Sequence, residues 1–375
     1  MFFVSGTLRV TVAAGVLLAA VSLSAAERPD VRQLADEIAG RGWIVFAAHP
    51  LEVNQGIEIK RKEERGQSDL YVARPDGSQL RNITNTEELS EYGGRFSPDG
   101  KRLLYFRVPK VKQLNHDLWG QFGEVVVADA DGSNPQVYGA EGQYPWASWN
   151  FDGTQISCLY KSEGKIRIYD VATKKMLREM PNQGIYQQMF WSSDGRQLVG
   201  TANVAGRQWN IVAVDLESQK LTVLSRGGAG SCTPDWFPND PRRVIYSHRI
   251  QGITPRLGEQ ANNYGFTVLM QATTDGKKRD LVFGKLWRHV YFACVSPDGK
   301  YVVFSDDVPD TILVGAMHLI RLADTPIVAP EPAFPELKEL YPNAKEGPIL
   351  DLKLPGGAPL RGFEPHWTSA EIGQK

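Results

Sequence analysis

The sequence predicts an all-β fold, a six-bladed β-propeller with four-stranded antiparallel blades. The composition favours many short strands, because 36 Gly and 23 Pro accompany 9 Trp, 13 Tyr and 15 Phe. A tight turn between an aromatic or apolar residue and an apolar run also recurs five times. Measured at Gly100, Gly153, Gly195, Asp240 and Gly299, the successive spacings are 53, 42, 45 and 59 residues. Such a period is typical of propeller blades.

Each repeat has two halves. The first is a strand, a turn such as Ser97-Pro98-Asp99-Gly100 and a second strand, here Leu103–Phe106. The second half is another hairpin, and Asp-Gly turns supply the positive φ that it needs. In the last repeat, this hairpin is expected near Asp324. The predicted blades are 362–368 with 43–84, 94–139, 146–180, 188–226, 233–284 and 292–329.

The first predicted blade draws its strands from both ends of the chain. Trp43–Phe46 resembles a second strand that no first strand precedes, and Gly362–Thr368 resembles a first strand that nothing follows. Pairing these segments would close the ring and remove its open edges. An alternative is a seventh blade that includes Ile349–Leu354. The Pro-rich stretch 330–361 is otherwise expected to be an extended connector with a helical turn near Glu336–Tyr341, and 369–375 a tail.

The N-terminal region predicts export. Arg9 precedes the uncharged apolar run Val10–Leu23, and Ser24-Ala25-Ala26 provides small residues for cleavage, so 1–26 is typical of a signal peptide. The alternative is a retained membrane anchor. Within 27–42, apolar residues at helical spacing predict a short helix that packs on the body: Val31, Leu34, Ala35 and Ile38. The expected location is periplasmic or secreted, with no membrane span after cleavage.

Charge and cysteine content exclude several classes of protein. With 42 Lys+Arg against 43 Asp+Glu, the net charge of −1 excludes a polybasic nucleic-acid binder. Cys158 and Cys294 lie in apolar runs, where cysteine behaves as a small hydrophobic residue. A Cys232–Cys294 disulfide is an alternative. No CxxC pair is present, so no zinc or redox motif is predicted.

The Ser-Pro-Asp-Gly-Lys turns at 97–101 and 296–300, the aromatic residues before such turns and the hairpin Asp69–Ser78 resemble the TolB-type, or WD40-like, propeller repeat. The resemblance covers Trp43 to Trp367. It implies a six-bladed propeller in the bacterial cell envelope that binds protein partners. TolB itself carries an α/β domain before its propeller, whereas only 27–42 precede the repeats after the predicted cleavage site. Fold analogy alone implies little about activity.

The candidate site is the face that carries the long loops. Connections within each hairpin are short and lie on one rim, whereas the other rim carries long segments such as Pro50–Ser68, Val108–Gly123 and Ile250–Gly265. Long loops on a rigid scaffold often carry function. The residues expected to bind a ligand there are His49, Arg107, Tyr144, Lys161, His248, Arg249, Arg288, His289 and Asp306. The approaches to the first strands also place Glu91, Tyr92, Trp146, Tyr186, Trp287 and Tyr291 on this rim, with aromatic side chains expected to be exposed.

Two functional hypotheses follow. The first is a non-enzymatic propeller, expected to be monomeric, that binds an envelope protein or a glycan on the long-loop face. The alternative is a lyase or hydrolase acting on polysaccharide fragments at the mouth of the central tunnel. Some propeller lyases acting on pectin fragments resemble this repeat and use His ligands. His49 and His248 have equivalent register but are expected to lie too far apart to share one metal ion. No cofactor, metal or catalytic residue is therefore predicted.

Overall fold

The computed structural model describes residues 28–57, 67–109, 123–138, 146–225, 230–249, 267–284, 289–307, 315–324 and 347–373. These residues contain 24 strands, two α-helices, α1 (Pro29–Ile38) and α2 (Pro50–Gln55), and one 3₁₀ turn at Lys161–Glu163. The all-β prediction is confirmed. The predicted signal peptide and the helical turn at Glu336–Tyr341 lie outside the described residues.

The strands form six antiparallel groups of four, here called blades 1 to 6. Blade 1 comprises β24 (Arg361–Thr368), β1 (Trp43–Ala48), β2 (Asp69–Ala73) and β3 (Arg81–Asn82). Blade 2 comprises β4 (Leu89–Phe96), β5 (Arg102–Pro109), β6 (Glu124–Asp129) and β7 (Gln136–Tyr138). Blade 3 comprises β8 (Ala147–Trp149), β9 (Gln155–Tyr160), β10 (Lys165–Asp170) and β11 (Met176–Pro181). Blade 4 comprises β12 (Ile185–Trp191), β13 (Gln197–Val204), β14 (Arg207–Asp215) and β15 (Leu221–Val223). Blade 5 comprises β16 (Gly230–Phe237), β17 (Asp240–Arg249), β18 (Thr267–Thr273) and β19 (Arg279–Phe283). Blade 6 comprises β20 (His289–Val295), β21 (Tyr301–Asp307), β22 (Gly315–Arg321) and β23 (Ile349–Asp351). The first strand of each blade is innermost.

The repeated turns form because their side chains satisfy the backbone locally. In the first repeat, Asp99 Oδ1 accepts hydrogen bonds from the Ser97 hydroxyl at 2.5 Å and from the Lys101 N–H at 3.1 Å. Gly100 follows in the left-handed region, with φ of 68°. That conformation costs glycine nothing, because it has no Cβ. The short motif therefore encodes the hairpin between the first two strands.

Blade 1 joins the two ends of the chain as the sequence predicts. β1 pairs with β2 and with β24, and Ile44 lies opposite both Ala73 and Trp367. The last blade differs from the expectation. Its fourth strand is β23, in which Leu350 pairs with Leu319, rather than a strand close to Asp324. Ile349–Asp351 thus forms the outer edge of blade 6.

The hydrophobic core lies between neighbouring blades. Apolar residues from blades 5 and 6 form one cluster that includes Phe237, Leu269 and Phe304. Another joins blades 1 and 6 and receives the buried face of α1, namely Val31, Leu34 and Ile38. The predicted helix and its docking on the body are therefore confirmed.

Several inner strands begin three to five residues earlier than predicted, for example at Leu89 rather than 94 and at Ile185 rather than 188. Their register shifts between Tyr92 and Arg95 in β4 and between Gln187 and Phe190 in β12. A bulge of this kind interrupts the alternation of apolar and polar residues. The sequence pattern therefore underestimates the length of these strands.

Candidate functional site

Seven of the nine predicted ligand-binding residues lie in the described chain, whereas Tyr144 and Arg288, like Trp287, lie outside it. Three of the seven support their own segments. His49 caps α2, because its Nδ1 accepts a hydrogen bond from the Leu51 N–H at 3.1 Å. Arg107 forms an ion pair with Glu124 at 2.7 Å. Asp306 is buried and accepts a hydrogen bond from His318 Nε2 at 2.8 Å.

His248 is also buried, and its Nδ1 lies 2.9 Å from the Ser231 hydroxyl oxygen. Burial, assisted by the charge of Arg279, lowers its pKa to about 4, so the imidazole is neutral at pH 7. Among the described residues, no group of three or more His, Cys, Asp or Glu side chains is arranged to hold a metal ion. His49 and His248 instead contribute to local hydrogen bonds.

Two of the expected exposed aromatics are in fact core residues. Tyr92 and Trp146 are 1% and 4% exposed, and both rings contact Phe106. The correction has a simple cause, since Tyr92 lies within an inner strand and Trp146 immediately precedes one, and both pack between blades. Glu91 is buried as well, and burial raises its pKa to about 7.

Four of the predicted rim residues meet Trp209, which was not predicted, in a cation–aromatic row on the long-loop rim. The row is defined by Lys161, Tyr186, Trp209, Arg249 and Tyr291. The Lys161 ammonium lies 5.5 Å from the centre of the Tyr186 ring, which contacts Trp209 edge-on at 5.9 Å. The Arg249 guanidinium lies 5.1 Å from the Trp209 ring and also interacts with the Tyr291 hydroxyl. The row crosses from blade 3 to blade 6.

His289 is buried at the end of this row, with its ring 5.7 Å from that of Tyr291. Lys161 is exposed, and the other four residues of the row are half-buried. The cation–ring contacts, the ring–ring contact and the bond to the Tyr291 hydroxyl hold these side chains in place and leave part of each open to a partner. The row therefore presents a preformed surface of mixed chemistry.

A second candidate site was not predicted. A central cavity of about 340 Å³ opens among the short turns and is lined by inner strands of all six blades. The residues at one equivalent position of the six inner strands form a single layer around the cavity: Arg95, Ser148, Phe190, Asp235, Cys294 and His366. None of the seven described residues expected on the long-loop rim lines this cavity.

Backbone bulges aim this layer inward. Two residues before it, five of the six inner strands have a residue in the left-handed region: Gly93, Gln188, Thr233, Phe292 and Glu364. Left-handed residues other than glycine are costly and need support from their surroundings. Here the Gln188 side-chain oxygen accepts a hydrogen bond from the Thr233 N–H at 2.9 Å, which links blades 4 and 5.

Opposite charges from blades 2 and 5 meet in the cavity. Arg95 Nη1 donates a hydrogen bond to Asp235 Oδ2 at 2.7 Å, and both side chains are largely buried. The guanidinium carbon lies 3.7 Å from the centre of the Phe190 ring. Asp235 Oδ1 also accepts a hydrogen bond from the Trp236 N–H at 2.8 Å. The pair spans the channel and fixes the position of the guanidinium.

The signal for this cavity was present in the repeat. Each residue of the layer stands immediately before the aromatic or apolar residue that precedes a repeated turn, as Arg95 precedes Phe96. Aligning the repeats at that position would have collected all six residues. Chemically the layer is mixed, which a search for known catalytic motifs does not detect.

The three cysteines are buried and free, so no Cys232–Cys294 disulfide forms. Burial raises the pKa of each thiol, and that of Cys232 reaches about 11, so none is a thiolate at neutral pH. Their roles are apolar packing and, for Cys294, part of the cavity wall. No helix in the described part of the chain is both long and apolar enough to cross a bilayer.

Comparison with known proteins identifies the fold. No family model matches the sequence, and no curated protein matches it significantly. Among solved structures, TolB from Acinetobacter baumannii is 15% identical with a TM-score of 0.58, covering 90% of this chain and 69% of that one. A protein provisionally assigned as TolB from Agrobacterium tumefaciens is 14% identical with a TM-score of 0.50, covering 87% and 98%.

A chain of a nidogen/laminin complex is 10% identical with a TM-score of 0.50, covering 76% of this chain and 91% of that one. At these identities the similarity establishes the fold and nothing more about activity. The predicted TolB-type propeller fold is confirmed.

Proposed function

We propose that this protein is an exported, non-enzymatic propeller that binds a protein partner in the bacterial envelope through its long-loop face. The observation that supports the proposal is the cation–aromatic row. Arginine, tryptophan and tyrosine are enriched among the few residues that supply most of the binding energy in protein interfaces. Export is supported by the signal-peptide pattern of 1–26, which favours the periplasm or the medium.

The chemistry of the row indicates what it binds. Lys161 and Arg249 are its charged members, and both are cations. The rings of Tyr186, Trp209 and Tyr291 are half-buried, so a partner can cover their remaining area at little cost in side-chain freedom. We therefore expect a partner segment that combines acidic and apolar side chains.

The test begins with the mature chain from Glu27, cross-linked to its partner in envelope extract, and continues with a titration of that purified partner. Arg249→Ala should weaken binding by about 10- to 150-fold, as expected for loss of a charge-assisted hydrogen bond. Lys161→Ala should act in the same direction. Arg107→Ala should have a smaller effect, because Arg107 already pairs with Glu124.

Matched controls lie on the opposite rim. Lys101→Ala and Lys300→Ala remove exposed cations beside the short turns and should leave affinity unchanged. If these two variants lose affinity while Arg249→Ala keeps it, the partner binds the short-turn rim and the proposal is wrong. Recovery of a saccharide instead of a protein would favour the glycan hypothesis, and shortening of that saccharide would favour an enzyme.

A further inference from the structure

The central cavity has the features of a small-ligand pocket, independently of the long-loop face. Four tryptophans border it, Trp149, Trp191, Trp236 and Trp367. Trp191 is half-buried, and the other three are 3–6% exposed and also pack in the buried clusters between blades. Every indole N–H of the four donates to a backbone carbonyl oxygen, those of Arg95, Gly195, Phe190 and Arg41 respectively, at 2.7–3.0 Å. The rings are thus held in place. Phe151 stands at the mouth of the cavity with 53% of its surface exposed.

Arg95 supplies a fixed cation to this pocket. Within the described chain, Asp235 is the hydrogen-bond partner of its guanidinium, which uses Nη1 for that bond. The Arg95 side chain lines the cavity and is 14% exposed, so its other N–H groups remain accessible. A guanidinium presents donors in a planar fork that suits a carboxylate.

His366 adds a second donor. Its Nδ1 accepts a hydrogen bond from the Phe96 N–H at 3.1 Å. Burial, and then the charge of Arg95, lowers the pKa of His366 well below its usual range, so the ring is neutral and Nε2 carries the hydrogen. Nε2 has no hydrogen-bond partner among the described residues, and His366 borders the cavity.

The Asp235 carboxylate beside these donors is already engaged. One oxygen of Asp235 accepts from Arg95 and the other from the Trp236 N–H. Free donors, an engaged carboxylate and fixed aromatic walls together favour an anion with an apolar body. A volume of about 340 Å³ lies near the lower limit for small-molecule pockets, about 300 Å³. The ligand is therefore about the size of one large amino acid.

We propose that this cavity binds an aromatic carboxylate, with the carboxylate against Arg95 and His366 and the aromatic group among the tryptophans. Such a group is found in a free aryl carboxylic acid and in the C-terminal residue of a polypeptide. The pocket opens on the short-turn rim, so it is separate from the cation–aromatic row on the opposite rim.

The test is calorimetry of the mature protein with N-acetyl-L-tryptophan and with N-acetyl-L-tryptophanamide, which lacks the carboxylate. The acid should bind at least about tenfold more tightly. A hexapeptide ending in tryptophan, free or amidated, distinguishes the two sources. Tighter binding of the free peptide than of N-acetyl-L-tryptophan identifies a C-terminus, and weaker binding identifies a small acid. If the carboxylate and amide forms bind equally, for both N-acetyltryptophan and the hexapeptide, the proposal is overturned.

Two variants with opposite expected effects exclude a purely structural explanation. Arg95→Gln should weaken the binding of N-acetyl-L-tryptophan at least tenfold. This variant also leaves Asp235 without its cation and risks poor folding. Asp235→Asn keeps an acceptor for the Trp236 N–H while it releases Arg95 from a competing carboxylate, so affinity should rise several-fold. Arg249→Ala, on the opposite rim, should change nothing. A loss of affinity in Asp235→Asn would contradict the proposal.

Discussion

The histidines His248, His366 and His318 differ in charge because their surroundings differ. His248 and His366 are neutral at pH 7, since burial and then the charge of a neighbouring arginine both lower their pKa values. Burial also opposes a charge on His318, but hydrogen bonds to Asp306 and Asp351, both at 2.8 Å, outweigh it and raise its pKa. His318 thereby holds β23 to the rest of blade 6.

At the residue scale, His248 predicts a loss of stability in acid. Its pKa is about 4 in the folded protein and 6.5 as the unperturbed value, so the unfolded chain binds more protons as pH falls below 6.5. Between pH 7.5 and 5.0 this linkage should lower the free energy of unfolding by about 2 kcal/mol. Urea denaturation at the two pH values measures this decrease. In His248→Asn the decrease should be smaller than in the parent by about 2 kcal/mol.

His318 provides the opposite control. Its raised pKa contributes stability below the unfolded value, and that stability is lost as pH rises through the folded pKa. His318→Asn should therefore increase the loss of stability on acidification. Identical pH dependence in the parent and in His248→Asn would show that His248 does not titrate as its burial implies.

At the element scale, α1 connects the N-terminal end of the described chain to blade 6. Leu34 is fully buried in the cluster shared by α1, blade 1 and blade 6. The Glu37 carboxylate accepts hydrogen bonds from the Tyr301 hydroxyl and from Arg321, which lowers its pKa. A ten-residue helix is marginal alone, so these contacts hold it in place.

Leu34→Ala should therefore lower the free energy of unfolding by about 2–5 kcal/mol, through lost burial and the cavity left behind. The measurement is a urea titration followed by circular dichroism. Gln33→Ala, which alters an exposed residue of the same helix, should be nearly neutral. If both variants unfold like the parent, α1 does not contribute to the stability of the body.

At the scale of the whole molecule, β24 connects several parts of the fold. It pairs with β1, contacts β22 at Gly315 and Ala316, and contributes Phe363 and Trp367 to buried clusters. It also brings His366 to the central cavity. One C-terminal strand thus takes part in blade pairing, core packing and the candidate pocket.

Deleting residues 362–375 should sharply lower the melting temperature and promote aggregation, because the fully buried strand Trp43–Ala48 would become an exposed edge. Thermal unfolding and light scattering measure both effects. Glu371→Gln, which weakens a surface ion pair with Arg74, should change little. A truncated protein that melts like the parent would reduce the segment to a dispensable tail.

Much of the candidate row was foreseeable because its residues flank recognisable strands. Lys161 follows a second strand and Arg249 ends one, whereas Tyr186 and Tyr291 lie near the starts of first strands, so register indicated their rim. Trp209 was missed because it lies near the start of a third strand, a position that the register argument did not consider. The structural roles of His49 and Arg107 were not foreseeable, since their partners depend on side-chain packing.

The sequence by itself determined the repeated hairpins, the helix at Pro29–Ile38 and the pairing of the chain ends, because turn chemistry and apolar periodicity act between near neighbours in the chain. Tertiary structure alone decided that β23 completes blade 6 and that Arg95 meets Asp235, 140 residues away, in a cavity lined by six strands. Such contacts depend on how the blades pack around a common axis, and no local pattern records that geometry.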